Sequence, residues 1–198
     1  MANSTARELG ARNLTAFNMQ SGGTYGTAIP LENCVSINTT NNYKEIEYYS
    51  DCTTEYSSAT LQNVDVEIDM SSAMALKLLA ELTGQEYVNG KMATLVGGKV
   101  PQIALAYSIV MVDGTERRRV LYSLNLKKEE QNNETESEGE IWTFTGKAVP
   151  VKINGKEYVD LIMSESEIEA IEDEDEKASA KAEYESFFTK VVMPGASA

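Results

Sequence analysis

The sequence predicts a mainly β fold, a β-sandwich with one flanking α-helix, on three observations. Asn89-Gly90, Asp113-Gly114 and Asn154-Gly155 each join two short runs rich in apolar and β-branched residues, the signature of tight hairpins. Val64-Asp65-Val66-Glu67-Ile68-Asp69-Met70 alternates apolar and acidic residues without a break, as a strand with one buried face does. Only Ser71–Gly84 shows a clear helical period, with Ala75, Leu78, Leu79 and Leu82 on one face. The chain has 198 residues, of which 42% are hydrophobic, enough for one domain with a core and an appendage.

Taken in order, residues 1–24 are small and polar and read as an N-terminal arm with a short strand at Arg12–Phe17. Residues 25–163 are expected to form the sandwich. Cys34–Asn38 is a strand ended by the turn-forming cluster Thr39-Thr40-Asn41-Asn42, and Tyr43–Tyr49 is a second strand. Ser50–Asn63 is rich in Ser and Thr, lacks apolar periodicity and reads as a loop too long for a mere connection. Val64–Met70 follows as a strand, then the helix, with Ser71 or Ser72 as its cap and Gly84 at its left-handed end.

Glu86–Val88 and Met92–Val96 flank a hairpin turn. Val100–Val112 is the most hydrophobic run, and it pairs through Asp113-Gly114 with Glu116–Leu126 to make the centre of the sandwich. Lys127–Glu140 is a charged loop. Trp142 and Phe144 share one side of the next strand, and Asn154-Gly155 joins Val149–Ile153 to Glu157–Ile162. Residues 164–198 form an appendage. In it, Ser164-Glu165-Ser166-Glu167 fits a capping box and opens an acidic helix over 164–185, and Phe187–Met193 is a closing strand or docking segment.

The net charge is −14, and it is localised. Residues 164–185 hold ten acids and two lysines, and residues 127–140 hold six acids and two lysines, so the remainder is nearly neutral. Such a chain does not hold nucleic acid through its phosphates, because that requires a cationic patch. Histidine is absent, which removes the commonest general base and metal ligand, and no motif marks a lysine to activate a serine. An enzyme is not expected, and no cofactor is implied. Glu172-Asp173-Glu174-Asp175-Glu176 lacks the mid-loop glycine of a calcium loop and reads as a solvated acidic face. The two cysteines, Cys34 and Cys52, read as free, partly buried thiols of a reducing compartment. No apolar run is long enough to span a bilayer, and no basic-then-apolar leader pattern opens the chain, so neither a membrane nor secretion by that route is expected.

Two charge features call for a physical explanation. Asp65, Glu67 and Asp69 fall on one strand face, where like charges repel, and Glu45 and Glu47 share a face of the preceding strand. If those strands pair, five carboxylates lie on one sheet surface. Arg117-Arg118-Arg119 is the basic cluster. Arg117 and Arg119 share a face, and a salt-bridge role toward acidic strands, within or between subunits, is expected of them.

These features, in their order and spacing, make the chain resemble the phi13-type major tail proteins of long-tailed bacteriophages. The resemblance covers about residues 10–155. It is carried by Thr24-Tyr25-Gly26-Thr27-Ala28-Ile29-Pro30-Leu31 after the arm, the strand Cys34–Asn38, Tyr48-Tyr49-Ser50-Asp51 opening the long loop, and the alternating strand Val64–Met70. Downstream it continues through Ile103-Ala104-Leu105-Ala106-Tyr107, Asp113-Gly114-Thr115-Glu116-Arg117-Arg118-Arg119-Val120-Leu121-Tyr122 and Trp142–Ala148.

The resemblance implies a tail-tube β-sandwich that forms hexameric rings stacked into a hollow tube, with strands given to a shared inner barrel. It implies a loop that reaches the next ring, here around Asp51, Thr53, Glu55, Tyr56 and Ser58. Implied partners are other copies of the chain, the tape measure protein, the tail terminator and the distal tail protein. The implied place is the virion tail, after synthesis in the host bacterial cytoplasm. DNA passes without specific binding, and Glu45, Glu47, Asp65, Glu67 and Asp69 become expected lumen residues, since an acidic wall repels phosphates that a cationic wall would hold. A β-sandwich decoration or adhesin-like module acting through its loops is the alternative.

Overall fold

The structure is a computed structural model and describes residues 6–50, 53–129 and 139–195. It is mainly β. The strands are β1 (Glu8–Met19), β2 (Tyr25–Pro30), β3 (Cys34–Ser50), β4 (Thr53–Ser71), β5 (Glu86–Val88), β6 (Lys91–Ala93), β7 (Ile103–Met111), β8 (Glu116–Lys128), β9 (Ile141–Ala148), β10 (Val151–Ile153), β11 (Lys156–Tyr158) and β12 (Asp160–Ser164). The helices are α1 (Leu76–Thr83), α2 (Glu165–Glu169) and α3 (Glu174–Glu185), followed by a 3-10 turn at Ser186–Phe188.

One large antiparallel sheet runs β2-β1-β7-β8-β9-β4-β3, with β12 added to β8. The β7–β8 pair sits at its centre, as the Asp113-Gly114 turn between two apolar runs leads one to expect. The sheet curls, so that the inner faces of β1, β7 and β8 meet those of β4 and β9 around one core. Leu14, Leu105, Leu121, Leu124, Ile68 and Phe144 are among its fully buried members. Helix α1 closes this core with Leu79 and Leu82, and Gly84 ends it in the left-handed conformation (φ 70°).

β7, with Leu14–Phe17 of β1 and Val120–Leu124 of β8, is buried on both faces, which is why Val100–Val112 reads as a continuous apolar run rather than an alternation. Their second face carries Phe17, Ala104, Ala106, Val120 and Tyr122, and residues Phe187 and Val192 cover it. The Tyr122 hydroxyl donates to the Val192 carbonyl at 3.0 Å, and Arg118 stacks 3.9 Å over the Tyr184 ring and 5.0 Å over Phe188. Phe187–Met193 is thus a docking segment, with no strand of its own.

Several expectations change. The segment read as an arm supplies β1, an interior strand between β2 and β7 that is longer than Arg12–Phe17. Thr39-Thr40-Asn41-Asn42 does not turn: β3 passes straight through it, because the Asn42 amide donates across the ladder to Asn63 (2.8 Å) and Asp65 (2.7 Å). Ser50–Asn63 is largely not a loop, since β4 begins at Thr53. The helix starts at Leu76 rather than near Ser71, which belongs to β4, and its N-cap Ala75 offers no side-chain hydrogen bond.

The acidic stretch is two helices, not one. The Ser164 hydroxyl lies 3.1 Å from that of Ser166 and makes no cap to the backbone of α2, while Asp173 caps α3 by accepting from the Asp175 and Glu176 amides, both at 3.0 Å. The Glu169 carboxylate, held below its ordinary pKa by Lys181 and Lys177, ties α2 to α3.

Candidate functional site

The β3–β4 hairpin organises the surface. From Cys34↔Met70 to Asn42↔Asn63 it lies in the sheet, with β9 on the far side of β4 as far as Val64↔Ala148. Beyond that, eight residue pairs, from Tyr43↔Leu61 to Ser50↔Thr53, continue with no third strand among the described residues. At the strand rise this two-stranded ribbon extends about 25–30 Å past β9. Ribbons of this kind are marginal alone in water. At its base the ribbon leaves Tyr43 54% exposed and also exposes Ile46 and Leu61.

On β4 the alternation works as the sequence indicates. Val64, Val66, Ile68 and Met70 are fully buried, and Asp65, Glu67 and Asp69 face outward. The outer face explains how three like charges are tolerated. Asp65 accepts from Asn42 and pairs with Lys147 at 3.2 Å; the Asn42 hydrogen bond first, then Lys147, lowers its pKa. Asp69 accepts from the hydroxyls of Ser36 (2.9 Å) and Thr143 (2.8 Å), and Glu67 accepts from Asn38 at 3.4 Å. Asn38, Thr40, Asp65, Glu67, Lys127, Thr145 and Lys147 line an open dish of about 400 Å³ on this face. Gly146 lets β9 and β8 close beneath it, since a Cβ there would lie 2.2 Å from the Asn125 carbonyl oxygen.

Glu45 and Glu47 do not join this face. β3 and β4 do pair, but the register shifts between Asn42 and Tyr43, where Gln62 is the extra residue on β4. β3 keeps its own alternation through the shift. Lys44 and Ile46 therefore continue the face of Asn42, while Glu45 and Glu47 continue the opposite face with Asn41 and Tyr43, whose side chains lie 3.5 Å apart. The surface holds three of the five carboxylates expected together. Of the residues expected in the long loop, Thr53, Glu55, Tyr56 and Ser58 lie on the outer part of β4, and Asp51 lies outside the described residues, as does Cys52. Cys34 is a half-buried free thiol.

The basic cluster pairs within the chain. Arg119 is mostly buried. It donates from Nε to Asp160 at 2.7 Å and from Nη1 to Thr39 (2.9 Å) and Tyr107 (3.3 Å), so one guanidinium braces β12, β3 and β7. Arg117 lies 3.5 Å from Glu8, and Arg12 pairs with Glu116. The share-a-face reading of Arg117 and Arg119 holds: Leu121, two residues on, belongs to the main core, whereas Arg118 points to the C-terminal segment.

Sequence reasoning read the helix and hairpin that become α1, β5 and β6, but not the apolar surface they present. The unit exposes Leu76, Tyr87, Val88, Leu95 and Val96, and the last is 98% exposed. The sequence carries no signal for this exposure, since Leu95-Val96 beside Gly97-Gly98 reads like any apolar pair next to a turn.

Among the described residues no group of His, Cys, Asp and Glu has the arrangement to hold a metal ion, and no helix is long and apolar enough to cross a membrane. No protein-family model matches the chain, and no curated protein matches its sequence. Among solved structures, the chain is similar to a chain of the PVC sheath–tube complex of an extracellular contractile injection system in its extended state. That likeness has 10% identity, a TM-score of 0.45, and covers 77% of this chain and 88% of that one. It is also similar to the tube-terminating cap of the anti-feeding prophage, with 10% identity, a TM-score of 0.48, and 83% and 99% covered. Likenesses of this size do not decide function.

Proposed function

We propose that this chain is a structural virion protein, the tail tube subunit of a long-tailed phage, which assembles as hexameric rings stacked into a tube through which DNA passes. The observation that carries the proposal is the two-stranded ribbon of β3 and β4. It projects from a braced, curled sheet, has no third strand among the described residues, and exposes apolar side chains at its base. A ribbon of that kind gains its stability by docking on another molecule. The large sheet also ends in two strands, β2 and β3, each with one edge free for pairing between neighbours in a ring.

Asp65, Glu67 and Asp69 are proposed to line the lumen. Glu67 and Asp69 are held by neutral side chains and Asp65 is paired with Lys147, so the face stays net acidic and repels DNA phosphates while Lys147 and Lys127 keep it from being prohibitively charged. Glu45 and Glu47 sit on the other face of the ribbon. The ribbon, with Thr53, Glu55, Tyr56 and Ser58 on its β4 side, links one ring to the next. Arg117 and Arg119 hold the subunit together rather than joining subunits. The tape measure protein, tail terminator and distal tail protein are the partners such a tube would meet. The role is non-enzymatic.

The test is to shorten the hairpin, replacing residues 43–61 with an Asn-Gly turn. The body keeps Val64–Met70 paired to β9, so the variant is expected to fold and unfold cooperatively and to form no tubes under conditions where the parent does. Tubes of normal length from the shortened chain would refute the role given to the ribbon.

A further inference from the structure

We infer that the α1–β5–β6 unit is the surface that receives the β3–β4 ribbon of a second copy of this chain, so that copies join end to end with one polarity. This rests on the tube reading and adds to it the receiving surface, for which three independent observations speak.

The first is placement. β4 begins at the ribbon, at Thr53, and ends at Ser71, and α1 starts at Leu76. The ribbon's apolar base at Leu61 and the start of this unit therefore lie at opposite ends of the inner part of one strand, about 33 Å apart at the rise of an extended chain. They cannot meet within one copy. A contact between unlike surfaces at opposite ends is heterologous, and repeated it gives an open, directional stack rather than a closed pair.

The second is apolar exposure. Val88 is 64% exposed, Leu95 51% and Val96 98%, beside Leu76 and Tyr87 on the same unit. The unit is held in shape before any partner arrives. Leu79 and Leu82 anchor α1 in the core, the Leu95 amide donates to the Gln85 side chain at 2.7 Å, and a Cβ on Gly84 would come within 2.3 Å of the Lys99 carbonyl oxygen. Apolar side chains on a pre-shaped surface lose little further freedom on docking. Tyr43, Ile46 and Leu61 at the ribbon's base offer matching area.

The third is charge. In a chain of net charge −14, this unit and its returning loop carry Lys77, Lys91 and Lys99 against Glu81 and Glu86, and Glu81 is already engaged by the Asn18 amide. The ribbon segment 43–61 carries four acids and one lysine. The signs are complementary, whereas the acidic α2–α3 pair would repel the ribbon.

The experiment uses the full chain. Val88→Asp and Val96→Asp are combined, both at exposed positions, and assembly is followed by electron microscopy and sedimentation alongside the parent. The expected result is loss of tubes with a thermal midpoint within a few degrees of the parent. Tubes from the variant equal to the parent's overturn the receiving surface and leave the tube reading standing. No tubes or rings from the parent itself overturn both. If the variant does not fold, cross-linking decides: Ala59→Cys and Val96→Cys are placed on separate chains in a Cys34→Ser, Cys52→Ser background and mixed during assembly. A 59–96 cross-link between chains supports the inference, and assembled tubes without it overturn the inference.

Discussion

Lys147 and Asn42 set the chemistry of the outer face at the scale of single residues. Their contacts hold the Asp65 pKa below the usual carboxylate range, Asn42 contributing the larger part. A carboxylate whose folded pKa is depressed stabilises the fold fully above its ordinary pKa and loses that contribution as pH falls through the lowered value. Lys147→Ala is expected to move the Asp65 titration back toward the ordinary range, read by carboxyl-detected NMR; an unmoved titration would show that the pair does not persist in solution. On the opposite side of the molecule, Phe187 is 1% exposed against Phe17, Ala104 and Tyr122. Phe187→Ala is expected to cost about 3–5 kcal/mol in urea unfolding, the range for truncating a buried aromatic. A cost under about 1 kcal/mol would mean that the C-terminal segment does not cover that face.

Among elements, the β3–β4 hairpin has two regimes. The inner part, to Asn42↔Asn63, is backed by β9 and a buried apolar face, while the outer part has neither. Amide exchange in the free subunit is therefore expected to be slow over 64–70 and faster, by two orders of magnitude or more, over 43–47 and 57–61, with protection of the outer part appearing on assembly. Uniform protection along the whole hairpin before assembly would contradict this. The same division explains what could be read from the sequence. Val64–Met70 announced itself because alternation is the imprint of one buried face. Residues 43–47 and 57–61 of the ribbon have no buried face to impose a period, and Ser50–Asn63 read as loop. Asn41 and Asn42 read as a turn because their composition does not reveal that Asn63 and Asp65 stand across the ladder to take the hydrogen bonds of Asn42. Asp173 was hidden among acids, so the break between α2 and α3 went unread, and Arg119's reach to Thr39 is a tertiary contact across 80 residues of sequence.

For the whole molecule, the described structure is one curled antiparallel sheet braced on both faces, with a net-acidic outer wall, free edges on β2 and β3, and a ribbon at the opposite end from an exposed apolar unit. Each feature costs something in a lone monomer: an open edge, solvated valines, an unsupported hairpin. In the proposed tube each is relieved by a second copy. The mainly β class and the central β7–β8 pair were legible in the turn dipeptides and apolar runs. The receiving surface was not, because exposure is a property of the folded chain and Leu95-Val96 looks like any buried pair in the sequence. The most direct measurement is negative-stain electron microscopy of the purified full chain across a concentration series. Tubes or six-fold rings that grow in number with concentration are the expected result. A monodisperse monomer persisting at the highest concentration would contradict the tube.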